Sequence, residues 1–227
     1  MFYEKHCAKI ISDMTQVVVA VGLVSILANF VRISANDPDF LLSEAFWLRS
    51  ALLVLTILFT AYHLLAYAAD AVTQQGDSGW ARHSRGPNSI ILLFLVDLMA
   101  LAAMGAMYGI LSVGSVRPEI GFTIDWSTLA WLSGLAAGWH FAVAAWHVIA
   151  GSRATAWLSH LGFSLLQAAL CAAALLSGTT GAFGFAGTLG HWGWVVLFAA
   201  TIAALYFLRG RKLLRHALQS EEPAPAE

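Results

Sequence analysis

Charge is what this sequence has least of. Asp, Glu, Lys and Arg make up 11% of its 227 residues, against roughly 25% in ordinary soluble domains. Such scarcity excludes a water-soluble globule, because a chain this apolar would expose large sticky patches in water. No basic excess exists either. The formal net charge is −1, which leaves no concentrated cationic surface for nucleic-acid phosphates. Cysteine is nearly missing: Cys7 and Cys171 stand alone, so neither a disulfide framework nor a CxxC metal motif is present. Signatures of membrane and nucleotide enzymes are missing too. There is no HExxH helix, no GxSxG elbow, no Walker A loop and no Rossmann glycine pattern. The chain is therefore expected not to be an enzyme.

What is abundant is apolar length. Hydrophobic residues account for 59% of the chain, and mean hydropathy is +0.72. Crossing a bilayer takes about 20 apolar residues in a helix. Six runs qualify: 10–33, 48–70, 89–113, 126–149, 156–178 and 189–209. Turn-rich or charged breaks separate them. The first run, from Ile10 to Ile33, exceeds the apolar core of about 7–15 residues in a secretory signal and reads as an uncleaved span. The expected fold is an all-α polytopic membrane protein, a bundle of six transmembrane helices over 1–209. Residues 210–227 are expected to form a basic juxtamembrane segment followed by a disordered acidic tail.

Orientation follows from the cations. Lys5, Lys9, Arg82, Arg85, Arg153, Arg209, Arg211, Lys212 and Arg215 fall on one side of such a bundle, and Arg32, Arg49 and Arg117 on the other. Nine against three predicts both termini in the cytoplasm of a bacterial-type plasma (inner) membrane. Trp47, Trp126, Trp192 and Trp194 at the outer helix ends, with Trp157 at an inner one, read as an aromatic belt.

Ionisable side chains within the spans carry the functional signal, since each costs at least ~2.5 kcal/mol near the bilayer centre. At 1.5 Å per residue, His63, Asp97 and His140 lie ~10–15 Å from the inner helix ends, and Asp13, His147 and His160 roughly 4–6 Å. All six belong to the cytoplasmic half. Faces repeat at helical spacing. Thr56, Thr60, His63, Tyr67 and Asp70 form one stripe on the second helix. Asp97 shares a face with Tyr108 on the third. Ser133, His140 and His147 recur every seven on the fourth, and His160, Ser164, Gln167 and Cys171 align on the fifth. "YH" at 62–63 and "WH" at 139–140 form a faint internal echo. Gly105–Gly109 and Gly134–Gly138 are GxxxG spacings that would let helices approach closely.

The leading expectation is ion conduction or ion-coupled transport, with a proton or cation as the ion substrate, through His63, Tyr67, Asp70, Asp97, His140 and His147. The bilayer is the obligate partner, and a homo-oligomer could place a pore on its axis. One alternative is a haem b protein in which His63 and His140 are the two axial ligands; no separate metal site is expected. Another is a non-catalytic scaffold or effector that acts through its basic tail and the 71–88 loop.

Overall fold

A computed structural model describes residues 7–73, 87–113, 124–152, 154–180 and 188–211. Six of its helices are long and apolar enough to cross a membrane, as the run lengths require. They are α1 (Ala8–Asn36), α2 (Glu44–Thr73), α3 (Pro87–Val113), α4 (Trp126–Ile149), α5 (Ala154–Thr180) and α6 (Thr188–Leu205), the last continued by a π-helical turn, Tyr206–Gly210. No strand occurs among the described residues. The chain is an all-helical bundle suited to a lipid bilayer, with apolar side chains such as Val21, Met99, Phe141 and Leu165 on its exterior.

Local chemistry sets the helix ends nearest the polar interior. Asp125 caps α4, its carboxylate accepting from the Thr128 amide at 2.8 Å and from the hydroxyls of Thr128 and Ser127 at 2.6 and 2.8 Å. Burial pushes this carboxyl up, but those donors more than offset it and hold it below the ordinary carboxylate value. The other end of α4 closes on Gly151, which has φ 68°. That left-handed residue lets the Gly151 amide reach Val148 O at 3.1 Å and the Ser152 amide reach His147 O at 2.9 Å, a Schellman closure. A side chain at 151 would oppose it. The turn folds α5 straight back along α4.

α4 is the most buried of the six helices and α1 the least. α5 packs along one side of α4, α3 along another, and α1 lies on the far side of α3; α2 and α6 close the bundle. Registers are consistent along each pair. α2 and α6 run parallel, 148 residues apart: Trp192 Nε1 donates to Glu44 at 3.1 Å, and Tyr206 OH donates to Leu58 O at 2.7 Å. α2 and α3 run antiparallel. Arg49 reaches Leu111 O at 2.7 Å, the Tyr108 hydroxyl reaches Thr60 at 3.2 Å, and that of Tyr67 reaches Asp97 at 3.0 Å.

Two sequence expectations change here. The tightest approach does not occur at the GxxxG pairs: a Cβ on Gly105 or Gly134 would make ordinary contact, 3.4 Å from Val18 Cγ1 or Cys171 Sγ, and one on Gly109 or Gly138 would meet nothing within 4 Å. It occurs at Gly22, where a Cβ would sit 2.6 Å from Tyr108 Cγ and 2.7 Å from its Cβ. Those atoms lie close to the α3 backbone and cannot swing away, so Gly22→Ala is expected to lift α1 off α3 at a cost of about 1–3 kcal/mol. Thermal unfolding of the purified protein in detergent checks this, with Gly109→Ala as the neutral control. The belt is also smaller than expected. Trp47 is 57% exposed, but Trp194 is 4% exposed and stacks on Phe198 at 4.9 Å. Trp194 fills core rather than an interface.

Candidate functional site

The tight turn after α4 sets up the site. It is centred near residue 150, so positions equally far before and after it face one another. Ala137 O accepts from Ser164 Oγ at 2.9 Å, and His140 meets His160 with Nδ1 to Nδ1 at 3.1 Å. His147, on the same face of α4 as His140, stacks on His160 with ring centres 5.5 Å apart. The turn also brings Ser152 Oγ to 3.1 Å from His147 Nδ1. Three imidazoles thus form one contiguous group, and all three are buried.

Trp139 joins this group to α2. Its indole is 1% exposed and packs edge-to-face against Phe59 at 4.8 Å, His63 at 5.4 Å, His140 at 4.8 Å and His160 at 5.8 Å. Tyr62 lies against it at 6.4 Å. The two halves of the sequence echo, Tyr62-His63 and Trp139-His140, therefore meet at the bundle centre. Trp139 Nε1 has no hydrogen-bond partner among the described residues. His63 and His160 both rest on the Trp139 ring.

A second arm continues from His63. The Tyr67 ring is 5.6 Å away, and its hydroxyl donates to Asp97 Oδ2 at 3.0 Å. The Trp146 indole approaches the same carboxylate closely enough to interact with it, short of full hydrogen-bond geometry. Asp97 is buried, so these donors stand where water would otherwise solvate it.

A cation completes the site from α6. Arg209 Nη1 donates to Ala156 O at 2.7 Å and to Ser159 Oγ. Ser159 precedes His160, so these bonds hold the guanidinium on the turn of α5 that carries that ring.

Of the six residues singled out in the sequence, His63, Tyr67, Asp97, His140 and His147 line this connected region. Asp70 lies on α2, but its side chain is outside the described residues, as are the basic tail and most of the loop after α2. His160, on the polar stripe of α5 but outside those six, is the hub of the region. The sequence did hold a signal for it: antiparallel pairing across the Gly151 turn puts 140 opposite 160. Trp139 and Arg209 carried no such signal. Asp13, by contrast, is exposed and pairs with Lys9 at 3.2 Å.

The remaining buried polar groups divide in two. Thr56, Thr60 and Ser133 donate to carbonyls of their own helices at 2.9 Å each, so they are satisfied locally. Gln167 donates to Thr201 at 2.7 Å, while its Oε1 has no partner among the described residues. At the opposite end of the bundle His191 packs on Trp126 at 4.7 Å, away from the cluster.

Metal and haem fit this geometry differently from a proton. Among the described residues no group of three or more His, Cys, Asp or Glu side chains is disposed to hold a metal ion. His63 and His140 both rest on the Trp139 ring, so axial ligation of a haem by this pair would require the indole to leave. Set against protein-family models, curated proteins and solved structures, the chain matches none.

Proposed function

We propose that this chain is a proton-handling membrane transport protein, in which a proton binds to and leaves the buried histidine cluster during ion conduction or ion-coupled transport. The observation that carries this reading is the His140–His160 contact, Nδ1 to Nδ1 at 3.1 Å. Two ring nitrogens at that distance share one proton: one nitrogen donates it and the other accepts. When His140 is charged by a proton taken up at Nε2, its Nδ1 proton can pass to His160 Nδ1, which leaves His140 neutral with its proton on Nε2 and makes His160 the charged ring, ready to release a proton from its own Nε2. Imidazole is suited to this because its charge changes near neutral pH. The Tyr67–Asp97 arm supplies a carboxylate, which can bind a proton or balance a charged imidazole.

In this reading both termini face the cytoplasm of a bacterial-type plasma membrane, since nine of the twelve Lys and Arg residues fall on that side. The cluster then lies in the inner half of the bundle. The test uses purified protein in liposomes carrying an internal pH dye, with a pH gradient across the membrane. Replacing His140 and His160 together by glutamine, which keeps polarity and cannot carry the charge, is expected to lower proton flux about a hundredfold or more. Flux equal to that of the wild type would remove the cluster from the pathway.

A further inference from the structure

We propose that a file of water molecules, held by Gln167, Trp194 and His191, carries the proton route from the histidine cluster to the opposite end of the bundle. This rests on the reading of the cluster as a proton site and names where the proton goes beyond it.

The first argument is a buried acceptor that needs a donor from elsewhere. Gln167 is 1% exposed, and its Nε2 donates to Thr201 Oγ1 at 2.7 Å. A threonine hydroxyl carries a single hydrogen, and that of Thr201 goes to Phe198 O at 2.7 Å. The amide atom facing Thr201 must therefore be the nitrogen. Oε1 is left as the atom without a partner among the described residues. An unmet acceptor in an apolar bundle costs desolvation that nothing offsets. The buried hydroxyls of Thr56, Thr60 and Ser133 avoid this cost by bonding within their own helices. Gln167 does not.

The second argument is that further unmet atoms continue from it along α6. His191, Trp194, Phe198 and Thr201 recur at intervals of three, four and three, which places them on one face. Trp194 is 4% exposed and stacks on Phe198, whose carbonyl takes the Thr201 hydroxyl. Trp194 Nε1 and His191 Nε2 are both buried atoms with no partner among the described residues. Gln167 Oε1 only accepts, the indole N–H only donates, and a neutral imidazole nitrogen does one or the other. Water can serve all three. A metal cation has no use for the indole N–H, and an oxyanion has none for the amide oxygen.

The third argument is span. On α5, His160, Ser164 and Gln167 share a face at intervals of four and three, and all three are buried. α5 and α6 run antiparallel, since Gln167 meets Thr201 where Arg209 meets Ala156. The stretch from His160 to Gln167 and that from Thr201 to His191 therefore add in one direction. At 1.5 Å per residue they cover about 25 Å together, most of the roughly 30 Å hydrocarbon core. The cluster stands at one end of this line. His191, against Trp126 at 4.7 Å, stands at the other.

In such a file each water takes a proton on its oxygen and passes on one of its own, so the file is restored once the waters have turned back. The proton that enters is the one His160 releases from Nε2. Gln167 and Trp194 do not ionise; they are positioning residues that hold the water.

The experiment reads water and flux separately. The full chain, labelled with heavy nitrogen and placed in lipid nanodiscs, is followed by NMR for magnetisation transfer from water to side-chain N–H groups. Gln167→Leu and Trp194→Phe identify the two signals by their loss. The same variants, with Ser133→Ala as control, enter the liposome assay beside the wild type and the His140→Gln, His160→Gln double variant. Water contacts are expected at the Trp194 indole and the Gln167 amide. Proton flux is expected to fall about tenfold or more in Gln167→Leu and in Trp194→Phe, the effect of one hydrogen bond lost from the path. Ser133→Ala should keep wild-type flux. The unfolding temperature of Gln167→Leu should not fall, because the change removes an unmet acceptor. Should Gln167→Leu not fold, Gln167→Met also removes the carboxamide and is expected to lower flux alike. Absence of water contact at either group, wild-type flux in either variant, or a flux loss matched by lost stability in Gln167→Leu would overturn the proposal. Flux lost in the double histidine variant but kept in these two leaves the cluster as a proton site and removes the file. Flux that survives loss of both histidines removes the cluster reading, and with it the tie between cluster and file.

Discussion

Trp139→Ala is expected to destabilise the bundle by about 3–5 kcal/mol, the largest effect of any single substitution. The indole touches aromatic or imidazole rings on α2 and α5 as well as its neighbour His140, and it is 1% exposed. In a bilayer little is gained by moving apolar surface away from lipid, so the cohesion of such a bundle comes from packing. A cavity at the point where three helices meet forfeits that packing on every side. It also frees the rotamers of His63, His140 and His160, so the Nδ1–Nδ1 contact is expected to loosen with it. Thermal or denaturant unfolding in detergent measures the effect. Trp131→Ala, which removes an indole 63% exposed on the same helix, serves as the control and should stay within ~0.5 kcal/mol. Equal losses in the two variants would show that Trp139 is not the centre of cohesion.

Asp97 is the second position of large effect, and two substitutions separate structure from function. Asp97→Ala leaves the Tyr67 hydroxyl, now 3.0 Å from the carboxylate, and the Trp146 indole facing an empty pocket. Each orphaned donor costs about 1–3 kcal/mol, so the variant should be clearly less stable. Asp97→Asn keeps the shape and one acceptor oxygen, so it should fold nearly as well, yet it can neither ionise nor take up a proton. Its proton flux in liposomes is expected to fall about a hundredfold, as when a positioned acid–base group is lost. A folded Asp97→Asn with wild-type flux would make Asp97 a structural residue that anchors Tyr67. Tyr67→Phe tests the same arm from α2 and should be milder, since it removes one hydrogen bond and leaves the carboxylate.

Particular residues show what could be read in advance. The polar stripe on α2 is legible because period 3.6 forces Thr56, Thr60 and His63 onto one side, and all three are buried. His140 and His147 follow from a spacing of seven. The stripe of His160, Ser164 and Gln167 on α5 is legible in the same way, but axial depth does not give the direction around the bundle in which a side chain points. Trp194 shows the limit: its height fits an interface, but its azimuth buries it against Phe198. One glycine of each GxxxG pair, Gly105 and Gly134, meets a neighbouring helix in ordinary contact, and the tightest approach falls at Gly22, because close approach needs a partner at the right height and Tyr108 provides it there.

What the sequence by itself determined is the number, length and apolar character of the helices and the polar face of each. These depend on composition and on a helical period that is local to each segment. Only the tertiary structure decided that rings from α2, α4 and α5 meet around Trp139, that His160 is the hub, and that Arg209 bonds to α5. Those outcomes depend on helix order around the bundle and on registers set by side chains far apart in the chain, and no local pattern encodes them.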